Sequence, residues 1–150
     1  MSRLENKIAL VTGASRGIGR ATAKALAAAG ARILIHYGRS ASEADSVVAE
    51  IRTAGGLADA MQADLSTSDG AAKLAAQVRT VVGERLDVLV SNAGISKAAT
   101  IKDHTVADFD NLFATNVRAP FFLVQQLLPV PGDGSNVIVI SSAVAPQGPA

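Results

Sequence analysis

Eight residues, Thr12-Gly13-Ala14-Ser15-Arg16-Gly17-Ile18-Gly19, stand between a short apolar run, Ile8-Ala9-Leu10-Val11, and an alanine-rich stretch from Arg20 to Ala29. Buried parallel strands read as short apolar runs and alanine is the strongest helix former, so the glycines fall where a strand turns into a helix. There the first helical turn points unpaired N–H groups and the positive end of its dipole outward, an arrangement that suits a pyrophosphate. A side chain at Gly13 or Gly19 would obstruct close backbone approach or helix–sheet packing. The spacing, Gly-x3-Gly-x-Gly, differs from the commonest dinucleotide fingerprint, and no Lys-Ser or Lys-Thr follows to make a nucleoside-triphosphate loop. Taken alone, the glycines also fit a plain turn joining strand to helix.

The rest of the chain alternates in the same way. Apolar runs predict strands near 7–12, 32–37, 57–63, 86–91 and 136–141. Between them, a second helix near 42–54 opens at Ser42 with Asp45 three residues on and stops at Gly55-Gly56. A third runs near 69–82 and ends at Gly83, and a fourth, near 105–128, starts with the capping pattern Thr105-Val106-Ala107-Asp108. Pro129 and Pro131 close the fourth helix, and Pro120 inside it predicts a kink or break. Strands alternating with helices of this length imply one α/β domain: a doubly wound parallel sheet with helices on both faces.

In such a sheet, ligands collect at the carboxyl ends of the strands. The polar and glycine residues cluster there: the glycine turn, then Tyr37-Gly38-Arg39-Ser40, Asp64-Leu65, Ser91-Asn92-Ala93-Gly94 and Ser141-Ser142. Any one of these could be a turn. Five strand ends converging on one rim argue for a binding site.

Composition excludes several other classes. With 14 basic and 13 acidic residues mixed along 150, no charge field favours nucleic acid or a membrane surface. The absence of cysteine rules out disulfides and thiolate metal sites, and His36 and His104 lack ligand-like spacing, so no metal site is expected. The N-terminus lacks the apolar stretch of a signal peptide, and no apolar run reaches the roughly 18 residues that span a bilayer. A cytoplasmic protein is expected.

The combination of Thr12 to Gly19, Asp64, Asn92-Ala93-Gly94, Asn116 and Ile140-Ser141-Ser142 resembles the short-chain dehydrogenase/reductase family along essentially the whole chain. It resembles most the NADP-dependent members of the 3-oxoacyl-acyl-carrier-protein reductase type. The resemblance implies a Rossmann-type domain over residues 1–150 in which Gly13, Ser15, Arg16, Gly17, Ile18 and Gly19 hold the pyrophosphate. Asp64 and Leu65 would meet the adenine, Asn92, Ala93 and Gly94 would pass beside the adenosine ribose, and Ile140 would border the cofactor at the end of the fifth strand. Asn116 matches the asparagine that holds a water in the family's proton relay, and Ser142, better than Ser141, matches the serine that orients the substrate. The implied activity is hydride transfer between NADP(H) and a carbonyl or secondary alcohol, possible substrates including a 3-oxoacyl thioester, in a homo-oligomer (dimer or tetramer) without nucleic-acid or membrane partners.

Charge bears on the choice of cofactor. A carboxylate at the end of the second strand would bond the ribose hydroxyls of NAD and repel the 2′-phosphate of NADP. Tyr37 stands in that place and Arg39 is the next ionisable residue. Arg16 supplies a second guanidinium, and bidentate bonding to a phosphate suits both, so NADP is expected.

The family's chemistry also needs a Tyr-x-x-x-Lys pair on the helix after the fifth strand. The sequence contains one tyrosine, Tyr37, and stops at Ala150 before that helix. The resemblance therefore implies a longer parent of which these are roughly the first three-fifths, with the sheet incomplete at its C-terminal edge and the 150 residues inactive alone. A natural fragment, a split protein or a frameshifted product are the alternatives. A non-catalytic nucleotide-binding or interaction module on the same fold also remains open. An adenosylmethionine-dependent transferase shares the glycine turn but fits Arg16, Arg39 and the strand-end residues poorly.

Overall fold

The structure is a computed structural model and describes residues 3–83, 85–127 and 134–142. Five parallel strands form one sheet in the order β3-β2-β1-β4-β5: β1 Ile8–Val11, β2 Arg32–Tyr37, β3 Ala58–Gln62, β4 Val88–Ser91 and β5 Asn136–Val139. Helices α1 (Gly17–Ala28), α2 (Ala41–Thr53) and α3 (Gly70–Val82) connect the first four strands. α4 (Val106–Phe113) and α5 (Ala119–Leu127), joined by a π-helical turn over Ala114–Arg118, lie between β4 and β5.

Side chains alternate across a strand, so consecutive residues of β1 and β2 feed opposite layers. Leu10 and Leu34 enter a core closed by Leu74 and Val78 of α3 and Leu123 and Leu127 of α5. Ala9, Val11, Ile33 and Ile35 enter a second core with Ala23 of α1 and Val47 and Ile51 of α2. The doubly wound α/β reading holds, and both layers position the same rim of strand ends. Leu10 is fully buried in the first layer, so Leu10→Ala is expected to cost about 2–5 kcal/mol in a denaturant titration.

Element bounds differ from the sequence reading where local chemistry was misread. α1 begins at Gly17, placing two of the three glycines inside its first turn; Arg20 N–H already donates to the Arg16 carbonyl. α2 is preceded by Ser40, two residues before the expected Ser42, and no side chain caps it. The capping box of α4 is present: Thr105 Oγ1 accepts from Asp108 N–H at 3.1 Å, and Asp108 Oδ2 accepts from Thr105 N–H at 3.0 Å.

The kink or break expected at Pro120 takes the form of the π-helical turn that interrupts the α-helix just before it. Pro120 has no N–H to donate to the Asn116 carbonyl four residues back, and its ring would crowd that carbonyl in a regular α-helix. The chain widens instead: Ala119 N–H donates five residues back, to Ala114, and the helix resumes. Pro129 and Pro131, expected to close this helix, lie outside the described residues. Among the described residues the sheet ends on β5, and Val137 to Ile140 remain 41–59% exposed.

Candidate functional site

A cleft of about 480 Å³ opens at the carboxyl ends of β1 to β4. β1 and β4 are neighbours although β2 and β3 lie between them in sequence, and this reversal of strand order leaves room above the glycine turn.

Thr12 and Asn92 bind the two central strand ends together. Thr12 Oγ1 accepts from the N–H groups of Asn92 and Ala93, both at 2.9 Å. Asn92 Nδ2 in return donates to the carbonyls of Thr12 at 3.0 Å and Gly13 at 3.2 Å. This interlock leaves no room for a side chain at Gly13 or Gly19. Gly13 has φ +62°, and a Cβ on it would lie 2.8 Å from Ala93 Cα. A Cβ on Gly19 would collide with the Gly13 carbonyl, which is how α1 comes to start directly on the turn.

Of the residues singled out in sequence, the cleft is lined by Gly13, Ser15 and Arg16 from the glycine turn, Arg39 after β2, and Asp64 and Leu65 after β3. Asn92, Ala93 and Gly94 complete the opposite wall. Gly17, exposed Ile18 and buried Gly19 build the first turn of α1 behind it. Tyr37 instead packs half-buried against the Val11–Ile35 core. Ile140 continues the β4–β5 ladder, its N–H donating to the Ser91 carbonyl at 2.9 Å, and Ser142 is exposed just beyond it on the same rim.

Asn116 is held by its side chain from the π turn to the loop after β4. Its Oδ1 accepts from Ile95 N–H and its Nδ2 donates to the Ile95 carbonyl, each at 2.8 Å. Lys97 adds an ion pair to Asp108 at 2.7 Å, which depresses the Asp108 carboxyl and ties the same loop to the start of α4.

The charge at the cleft is set by three groups. Arg16 and Arg39 are exposed at its edge. The Asp64 carboxylate accepts from the hydroxyl and the N–H of Ser66, at 2.6 and 2.9 Å, and these bonds hold its carboxyl below the ordinary range, with the Arg39 charge adding to the shift. Asp64 thus stays ionised but turned toward its own loop. No carboxylate stands at the end of β2.

Sequence reasoning passed over His36, which is only 2% exposed and yet borders the cleft. Its Nδ1 accepts from Gly13 N–H at 3.1 Å, and its Nε2–H donates to the Ala63 carbonyl at 3.0 Å. The available signal was a single polar residue directly after the apolar run Ile33-Leu34-Ile35 and still within the strand. Ser66, Asn111 and Thr115 also line the cleft and were not singled out. Among the described residues no cluster of metal-ligating side chains occurs, and no helix is long and apolar enough to cross a membrane.

The chain is 44% identical, over 96% of its length and 58% of the relative's, to an uncharacterized oxidoreductase of Methylorubrum extorquens. It is 41% identical to versicolorin reductase 1 of Aspergillus parasiticus, over 95% of this chain and 54% of that protein. The crystal structure of the landomycin C-6 ketoreductase LanV with bound NADP and rabelomycin superposes with a TM-score of 0.89 at 40% identity, covering 94% of this chain and 60% of that one. The chain therefore spans between half and three-fifths of the length of these relatives. The short chain dehydrogenase family model matches residues 7–150, with the glycine turn, the Asn92-Ala93-Gly94 wall and all five strands inside the match, and the chain belongs to that family.

Proposed function

We propose that these residues form the cofactor half of an NADP-dependent reductase acting on a ketone or, in reverse, a secondary alcohol. The observation that carries the reading is the cradle itself, in which a Cβ on Gly13 or Gly19 has nowhere to go while two guanidinium groups stand at its mouth. The N–H groups of Ser15, Arg16, Gly17 and Ile18 and the dipole of α1 suit the pyrophosphate. Arg39 and Arg16 suit the 2′-phosphate, and Tyr37 in place of an acid removes the group that would repel it. Asp64 and Leu65 border the adenine, Asn92 to Gly94 the ribose, and Ile140 the nicotinamide end. NADP bound in LanV, a relative with 40% identity and the same fold, supports the choice of cofactor.

When bound, the nicotinamide supplies the hydride. Ser142, exposed at the end of β5, orients the substrate oxygen, and Asn116 steadies the loop that faces it while its backbone carbonyl, left without the Pro120 donor, holds a water. The proton comes from a group outside these residues, because Tyr37 is packed against the core. The substrate class is a ketone; the 3-oxoacyl thioester suggested by resemblance is one member of it, and LanV, named for a C-6 ketone, acts on another scaffold. We place the protein in the cytoplasm as a homo-oligomer, with the exposed Phe109, Phe113 and Phe121 of α4 and α5 as the surface for pairing.

Titrating NADPH and NADH against Arg39→Ala tests the assignment. Losing a charge-assisted bond costs about 1.5–3 kcal/mol, so NADPH affinity is expected to fall roughly 10- to 150-fold while NADH affinity stays nearly unchanged. Equal losses for the two cofactors would make Arg39 a structural residue and remove the charge argument for NADP.

A further inference from the structure

His36 joins the glycine turn to the end of β3 through backbone groups alone. It accepts from Gly13 N–H at Nδ1 and donates from Nε2 to the Ala63 carbonyl. This pattern admits one form of the ring, the neutral tautomer with its proton on Nε2. A second proton would go to Nδ1 and set one donor against another, the Gly13 N–H. Gly13 has little room to shift, since Ala93 crowds it on one side and Gly19 on the other.

We propose that His36 is a positioning residue for the glycine turn, effective only as the neutral imidazole, so that nucleotide affinity of the cleft falls as His36 takes up a proton. The proposal rests on the cofactor reading above. Burial supports it by pushing the imidazole below its ordinary value, an effect the bond to the Ala63 carbonyl only partly opposes. The charged groups bordering the ring are Arg16 from the glycine turn, Arg39 beyond its own strand and Asp64 beyond β3. β1 and β4 bring none; on the α3 and α5 layer that His36 shares with Leu34, Lys73 pairs with Asp69, Arg79 donates to the Gln126 carbonyl and Arg118 to the Ser66 carbonyl. Both arginines are exposed to solvent, and the Asp64 carboxylate is occupied by Ser66.

The sign follows from linkage. With a folded-state value below that of the unfolded chain, the folded protein holds His36 neutral while the unfolded chain begins to bind a proton near pH 6.5. Stability is fully present above that pH and declines as pH falls toward the folded-state midpoint, while the turn itself stays formed until His36 takes up its proton at that midpoint. Below the midpoint, the fraction able to bind falls about tenfold per pH unit, and apparent affinity falls with it.

The test is an NADPH titration between pH 7.5 and pH 5 on the wild type, His36→Asn and His36→Phe. Asparagine keeps an oxygen for Gly13 N–H but does not titrate; phenylalanine fills the space without an acceptor. His36→Asn is expected to bind within about threefold of the wild type at pH 7.5 and to lose less affinity than the wild type on acidification. Because the 2′-phosphate titrates equally in both, only the difference between their profiles reports on His36. His36→Phe is expected to bind at least about tenfold more weakly throughout. Coincident wild-type and His36→Asn profiles would overturn the proposal while leaving the cofactor reading intact, whereas a wild type that binds no NADPH at pH 7.5 overturns both. Imidazole ¹⁵N shifts of the wild type give a measurement that needs no variant. The expected result is a protonated Nε2, a bare Nδ1 and a midpoint that drops further when NADPH is added, by reciprocity. A midpoint that NADPH leaves in place also overturns the proposal.

Discussion

Gly19→Val is expected to eliminate saturable NADPH binding across the concentrations that fill the wild-type site, while far-UV circular dichroism stays close to that of the parent. Gly19 is buried in the first turn of α1, and any Cβ there collides with the Gly13 carbonyl, an oxygen that Asn92 Nδ2 also holds. A branched side chain must therefore push the turn off the end of β1 or lift α1 from it. Gly13 cannot yield sideways, because Ala93 stands against it, and Thr12 keeps Ala93 in place through its hydroxyl. Strained packing of this kind costs typically 1–3 kcal/mol, which two separate core layers can absorb. The phosphate cradle cannot, since its function depends on where those few N–H groups point. Affinity retained within a few-fold would mean that the nucleotide is held elsewhere in the cleft.

The parts of this arrangement that sequence reveals are those written in one local stretch. A strand such as Ile33-Leu34-Ile35 is legible because both faces of a parallel sheet are buried, and Thr105 with Asp108 is legible because a capping box needs only four residues. The rim was legible for a different reason: glycine and polar residues recur after every apolar run, and parallel topology brings all those ends together. What escaped depends on partners distant in sequence. His36 owes its role to Gly13 and Ala63, whose carbonyl and N–H carry no side-chain signature. Proline predicts an interrupted helix by its local chemistry but not the π form that the interruption takes, and packing of Ala119 and Leu123 into the core keeps the helix on its course. Tyr37 was assigned to the cleft from its place at a strand end, but alternation turns its ring toward the Val11–Ile35 layer, leaving Arg39 two residues on to border the cleft. Ser42 and Asp45 imitate a cap, yet Ser40 precedes the helix, with Ala44 N–H donating to the Ser40 carbonyl.

Residues 1–150 produced by themselves are expected to bind NADPH and to show no carbonyl reduction above background, whereas the same residues continued through a helix bearing Tyr-x-x-x-Lys turn over. The cleft proposed for the nucleotide is lined by residues at the ends of β1 to β4 and in the α4–α5 segment, all of them within residues 1–150. Reduction also needs a proton delivered to the substrate oxygen as the hydride arrives, and general acid assistance is worth about 10²–10⁴-fold. Ser142 presents a hydroxyl on the rim, but an unactivated serine is far too weak an acid to replace a tuned phenol. Tyr37 is committed to the core, and His36 has both nitrogens engaged with backbone. The carboxylate that lines the cleft, Asp64, is held ionised by Ser66 and so has no proton to give at neutral pH. The assay follows NADPH absorbance over a panel of ketones, on both lengths, with monodispersity checked because the 41–59% exposure of Val137 to Ile140 leaves an apolar strand edge open to self-association. In the longer form, Ser142→Ala is expected to lower kcat by about 10²–10³-fold with NADPH affinity unchanged, the loss typical of one hydrogen-bond donor to a developing oxyanion. Robust turnover by residues 1–150 would instead locate the proton donor among His104 and the carboxylates of the α4 side of the cleft, and the role given to Ser142 would have to be rebuilt around it.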